Sequence, residues 1–163
     1  MKKPHSHVRS RIQAFTLVEL MVVIAIIALL TGIIMTNLSQ SRGKARDAKR
    51  ISDIGQLQLT MALFFDRCKQ YPATLALSAN NGCPSGITLQ SYISSIPNPP
   101  AGTTYDYAVD TTTHTNYVLH TKLENTNEVL KDGIKDASKP AFVTFSCYID
   151  ATNNQLEYCL GPN

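Results

Sequence analysis

One stretch limits what this chain can become: Phe15-Thr16-Leu17-Val18-Glu19-Leu20 and the apolar residues that follow it to Met35. Of these 21 residues only Thr16, Glu19 and Thr31 are polar, and none is proline. At a rise of about 1.5 Å per residue a helix of this length spans roughly 31 Å, one bilayer core. Leu20 to Leu30 is apolar on every side, which excludes an amphipathic surface helix and demands burial in lipid or among like helices. Glu19 is the exception. A carboxylate deep in lipid costs about 2 to 3 kcal/mol, so its presence makes it a functional candidate that needs a partner.

The residues in front suggest that partner. Met1 to Ala14 carries Lys2, Lys3, Arg9 and Arg11 and no acid, like the start of a secretory signal. A secretory peptidase, however, cuts after the apolar run at a small-residue site, and no A-x-A follows Met35. A cut before the run, after Ala14, creates an α-amino group on Phe15, four residues from Glu19. The cation then stands where the carboxylate needs one.

The run Ala14-Phe15-Thr16-Leu17-Val18-Glu19-Leu20-Met21-Val22-Val23-Ile24-Ala25-Ile26-Ile27 closely resembles the class III leader and N-terminal helix of type IV pilins and type II secretion pseudopilins. The resemblance implies cleavage between Ala14 and Phe15 by a prepilin peptidase, N-methylation of Phe15, and assembly of the helices into a filament core with Glu19 against the Phe15 amine of an adjacent subunit. It also implies an inner-membrane assembly platform and cytoplasmic ATPases as partners. Two departures stand out. The family usually has Gly where this chain has Ala14, and many members have a proline near Thr36 that helps the helix loosen in the filament. Without that proline, Gly32 and Gly43 are the available weak points.

Removing a 14-residue leader from 163 residues leaves 149, enough for one helix and one small domain. The leader holds four of the 15 bases and none of the 12 acids, so the mature chain carries 11 bases against 12 acids. The whole-chain charge of +3 therefore says nothing about nucleic acid, which stays possible but not indicated. Four cysteines without a C-x-x-C spacing, in a chain with an export signal, read as two disulfides made outside the cytoplasm. The leader bases favour a cytoplasmic N-terminus, while Arg42, Lys44, Arg46, Lys49 and Arg50 oppose them from the other flank. The cysteines break the tie, because all of them follow the anchor and need an oxidising side.

Beyond the anchor, Leu38 to Phe65 contains no proline, and Ile51, Ile54, Leu57, Met61 and Phe64 lie on one helical face. The helix is expected to run unbroken to about Phe65, some 51 residues and roughly 77 Å. Its first half is apolar and its second amphipathic. Arg42, Arg46 and Arg50 form an i, i+4, i+8 stripe that suits DNA phosphates or lipid headgroups. The favoured reading is a solvated or subunit-contacting face, with Lys49–Asp53 or Asp47–Arg50 pairing locally.

Tyr71-Pro72 ends the helix. A loop with Asn80-Asn81-Gly82 and Pro84-Ser85-Gly86 turn signals follows, and Cys68 with Cys83 forms the first expected disulfide. Leu89, Tyr92, Ile93 and Ile96 have the spacing of a short helix before Pro97-Asn98-Pro99-Pro100. After Gly102 the period turns to two, giving strands Thr103 to Val109, Asn116 to Leu123, Ala141 to Ile149 and Gln155 to Leu160. In the last hairpin the turn at Ala151-Thr152-Asn153-Asn154 sets Cys147 opposite Cys159, the second expected disulfide. This pairing is one of three connectivities. The Tyr71-Pro72 step, Ile96-Pro97 and Tyr105-Asp106-Tyr107 also resemble the pilin and major pseudopilin pattern.

The fold expected is thus α+β, type IV pilin-like: a long helix packed on a small antiparallel sheet. Its parts are a leader (1–14), a hydrophobic transmembrane and assembly helix (15–37), an amphipathic helix half (38–66), an αβ-loop (67–102), and a β-sheet with a C-terminal disulfide region (103–163). Glu124 to Lys139 reads as an exposed excursion. Asp132-Gly133 and Asp136 lie in it, but the D-x-D-x-D-G spacing of a calcium loop is absent, so no metal or cofactor is expected. His114 and His120 lack an i, i+4 partner for zinc, and Gly43-Lys44-Ala45 lacks the rest of a phosphate loop. No nucleophile motif appears. The expectation is a non-enzymatic homo-oligomeric subunit of a type IV pilus, held in the cytoplasmic membrane before assembly and extracellular afterwards, serving adhesion, twitching motility or DNA uptake. The alternative is a type II secretion pseudopilin or a minor tip pilin.

Overall fold

The computed structural model describes residues 15–162 except 81, 101, 151 and 154, and describes residues 33–37 in their backbone alone. The leader, Ala14 included, and the last part of the expected membrane span lie outside these limits. Two compact units emerge, residues 1–40 and 41–163.

Helix α1, Leu17–Cys68, has 52 residues. In the first unit its apolar side chains, from Leu17 to Leu30, are exposed. In the second unit one face of it is buried: of the periodic set that the sequence marks as core-facing, Ile54, Leu57, Met61 and Phe64 are fully enclosed, and Ile51 is half-buried against them. The helix runs past Phe65 to Cys68 because its last turn is closed before the prolines are reached. Lys69 takes the left-handed conformation, φ 58°, and its N–H reaches the carbonyl of Phe65 at 2.7 Å. That is a C-terminal cap of the left-handed type, made here by a lysine rather than glycine.

The sheet is antiparallel, in the order β1 (Asp106–Val109), β2 (Tyr117–Lys122), β4 (Gln155–Leu160), β3 (Ile149–Asp150). Alternation along the strands sends Tyr117 and Leu119 of β2 and Leu156 and Tyr158 of β4 to the helix side, where they join the main core. Val118 and Cys159, on the other side, form a second small core with Val143 and Cys147. The expected α+β arrangement, a helix on a small antiparallel sheet, is the one found.

The segment expected as a third strand, Ala141 to Ile149, is corrected. Only Ile149–Asp150 pairs with β4. The residues before it turn at Pro140, with the Val143 N–H on the Pro140 carbonyl at 3.0 Å, and lay Val143 and Cys147 on the second core. Period-two apolar residues report one buried side, and this segment buries it against a sheet face instead of inside a ladder. The cysteine register changes with it. The ladder pairs Ile149 with Leu156 and Asp150 with Gln155, so Cys147 lies before the strand. The cross-strand partner of Cys159 is His120.

Two smaller expectations also shift. The short helix at Leu89 to Ile96 is one 3-10 turn, Leu89–Ser91, with Leu89 buried. The excursion 124–139 is not wholly exposed: it contains helix α2, Val129–Asp132, whose Leu130 enters the main core, and a 3-10 turn Asp136–Ser138.

Candidate functional site

The start of α1 is built for its position. Thr16 accepts the Glu19 N–H on its hydroxyl at 3.2 Å, and its carbonyl takes the Leu20 N–H at 3.3 Å. Thr16 therefore caps one of the helix's orphan donors, and Thr16-x-x-Glu19 has the spacing of a capping box. Glu19 lies in the first turn, where the helix dipole favours a negative charge. Phe15, four positions earlier, is 81% exposed. Phe15 and Glu19 are both exposed, at the start of an apolar helical stretch whose described side chains are exposed as well. Among the described residues, no helical stretch is long and apolar enough to cross a membrane. The apolar stretch whose side chains are described ends at Gly32.

A second constellation joins α1 to the loop after β2. Asp47 is 2% exposed and accepts four hydrogen bonds. The Glu124 and Asn125 backbone N–H groups and the Asn125 side-chain amide each reach it at 2.9 Å, and Arg50 Nη1 at 2.7 Å. Arg50 is fully buried. Its Nη2 meets Glu124 at 2.7 Å and its Nε donates to Thr103 at 3.2 Å. Arg46 closes the group with a forked contact to both Glu124 oxygens, Nε to Oε1 at 2.8 Å. Forked guanidinium–carboxylate contacts are among the stronger charged hydrogen bonds. The Arg46 hydrogen bond, reinforced by Arg50, pulls the Glu124 carboxyl down from 4.5 to about 2.

These contacts correct the reading of the basic stripe. Two of its three arginines are tied to Glu124, a residue about 75 positions further along: Arg50 is buried, while the Arg46 side chain stays 39% exposed. Both local pairs exist as well, Lys49–Asp53 at 2.9 Å and Arg50–Asp47 at 2.7 Å. Gly43, one of the two expected weak points, is buried. A Cβ there would meet the Asn125 amide at 3.0 Å and the Glu124 carboxylate at 3.4 Å. Its glycine serves close approach, and the helix is clamped at this turn.

His120 and Asp136 are held structurally. His120 is almost buried, with Nδ1 at 2.9 Å from Asp106 of β1, Nε2 at 2.7 Å from Glu157 of β4, and its ring stacked on Phe145. His114 lies in the β1–β2 turn with a left-handed φ of 54°. Asp136 accepts the Cys147 N–H at 3.0 Å and pairs with Lys139 at 3.1 Å. Among the described residues no three potential ligands converge for a metal ion. Cys68 is bonded to Cys83 and Cys147 to Cys159, the latter with Cα atoms 5.6 Å apart.

An apolar N-terminal helix bearing one capped glutamate, continued into a disulfide-bonded α+β head, defines a prepilin-type structural subunit. The family model for the prokaryotic N-terminal methylation motif matches residues 9–35. The type II secretion system core protein G of Vibrio cholerae is 30% identical over 99 residues, covering 57% of this chain and 68% of that protein. The protein of the same name from Pectobacterium carotovorum is 30% identical over 102 residues, covering 58% and 65%. That from Aeromonas hydrophila is 29% identical over 104 residues, covering 60% and 73%. Each match thus spans roughly two thirds of the relative's length. No solved structure gives a match. The chain belongs to the pilin and pseudopilin family.

Sequence reasoning missed Thr16, Glu124 and Asn125. The Thr-x-x-Glu spacing was available as a signal for Thr16. Nothing in the sequence pairs Glu124 with a helix so far upstream.

Proposed function

We propose that this protein is a pseudopilin of a type II secretion system, a structural subunit of a filament on the periplasmic side of the cytoplasmic membrane. One observation carries the reading. The methylation motif occupies residues 9–35 only, whereas likeness to core protein G extends over about 100 residues, far beyond what all filament subunits of this kind share. The surface-pilus reading, with adhesion, twitching or DNA uptake, has no such support.

In this reading Met1 to Ala14 is removed by a prepilin peptidase, Phe15 is methylated, and the apolar helix holds the subunit in the membrane until assembly. Lipid tails are as apolar as leucine, so exchanging lipid for neighbouring helices is close to neutral. Transfer into the filament is then decided by polar groups. Glu19 supplies the bias: paired with the Phe15 amine of an adjacent copy it escapes the cost of about 2 to 3 kcal/mol that a lone carboxylate meets in lipid. The disulfide-bonded head stands outside the membrane, and the assembly platform with its ATPases drives addition of subunits. No step of this scheme requires catalysis by the chain itself.

The test is deletion of the chain in its own host. Loss of extracellular enzymes with surface pili unchanged is the expected result. Loss of pili with normal export would overturn the proposal in favour of a pilus subunit. The intact mass of the purified protein, beginning at Phe15 with one added methyl group and two disulfides, checks the processing.

A further inference from the structure

Five bases follow the apolar segment, on the flank that the proposed orientation sends across the membrane. Bases there oppose that orientation, so each needs a reason to be present. Three have one inside the protein: Arg46 and Arg50 serve Glu124 and Asp47, and Lys49 serves Asp53. Arg42 and Lys44 do not. Both are exposed, and among the described residues neither takes part in an ion pair.

Their placement selects a partner. Two positions apart on a helix means a rotation of about 200°, so Arg42 and Lys44 project from opposite sides of α1. The buried Gly43 lies between them. A duplex or a flat protein face meets one side of a helix and reaches only one of the two. A lipid annulus surrounds a helix and reaches both. The pair also follows the expected end of the membrane span at residue 37 within seven residues, where headgroups lie around an anchored helix.

We propose that Arg42 and Lys44 bind the phosphates of anionic phospholipid headgroups on the head's side of the bilayer, holding the unassembled subunit at a fixed depth. The proposal rests on the membrane-anchored reading given above. Arg46 and Arg50, already committed to carboxylates, take no part in it.

The experiment places the processed full-length chain in nanodiscs of phosphatidylglycerol and phosphatidylcholine in equal parts and counts retained lipids by native mass spectrometry. The wild type is expected to retain phosphatidylglycerol in excess, by roughly fivefold per base. Arg42→Gln with Lys44→Gln abolishes the excess, and Lys135→Gln, an exposed base elsewhere on the head, preserves it. An excess unchanged in the double variant overturns the proposal while the anchoring stands. Retention of a short DNA duplex that depends on these two residues, without lipid preference, overturns it in favour of nucleic acid. A processed chain that stays outside the nanodisc fails at the earlier step, and the anchored reading falls with it.

Discussion

Glu124 and Arg50 meet at 2.7 Å across 74 residues of sequence, one in the loop after β2 and the other fully buried on α1. With Asp47 between them, the contact fixes the helix to the head at the turn where the head begins. Two cations and two carboxylates share this place, so the charges cancel. What remains is the desolvation of Arg50 and Asp47, offset only while every partner is present. Asp47→Ala leaves Arg50 buried with half its carboxylates and three donors of the loop unpaired. We expect a loss of about 3 kcal/mol, the lower end for breaking a buried pair. Urea unfolding of the processed chain in detergent measures it, and a loss within experimental error would show that the cluster is solvated.

The acid limb of stability follows from the same residue. The folded carboxyl of Glu124 titrates at about 2, below the usual 4.5, so its contribution is present above the unfolded value and is lost as pH falls from there toward 2. Asp136, held down by the Cys147 N–H and then by Lys139, acts in the same direction. Thermal midpoints followed from neutral pH down to about 2 should fall more steeply in the wild type than in Glu124→Gln, which begins lower and has less to lose. Parallel curves would remove Glu124 from the account.

Much of the molecule could be read before the structure. The spacing of Ile54, Leu57, Met61 and Phe64 named the buried face of α1 because helical periodicity is a local property. The strands β2 and β4 were visible for the same reason. What could not be read depends on distant groups. Arg46 and Arg50 look like surface bases until Glu124 arrives from the loop after β2. The segment around Val143 has the composition of a strand, yet it covers the outer face of the sheet, since propensity reports a half-buried surface and not which neighbour buries it.

Two glycines of α1 separate close packing from mere permissiveness. A Cβ on Gly55 meets nothing within 4 Å, so Gly55→Ala should gain up to about 1 kcal/mol from helix propensity. Gly43→Ala has the same intrinsic gain but meets the Asn125 amide at 3.0 Å. That amide is held on Asp47, and the Asn125 backbone N–H is held there too, so it cannot withdraw cheaply. The expected outcome is a higher thermal midpoint for Gly55→Ala and a lower one for Gly43→Ala. Equal gains would show that the loop yields and that the turn is not clamped.

The two disulfides differ in what they hold. Cys68–Cys83 closes a separation of 15 residues at the end of α1, and Cys147–Cys159 closes 12 between the outer segment and β4. Loop-closure entropy is nearly the same for both, about 3 kcal/mol, so a difference in effect must come from packing. Cys147 and Cys159 are half of the buried second core, whose other members are Val118 and Val143. Without the bond, the segment carrying Val143 keeps the Asp136 contact to the Cys147 N–H and the Phe145 ring on His120, but loses its covalent tie to β4. Paired replacement of Cys147 and Cys159 by serine should therefore expose Val118 to solvent and raise amide exchange in β2 and β4. Replacement of Cys68 and Cys83 should loosen the last turn of α1 and leave the sheet protected. Hydrogen exchange on the two variants decides it: protection lost over the whole head in both would mean that the head unfolds as one unit and that the second core has no separate stability.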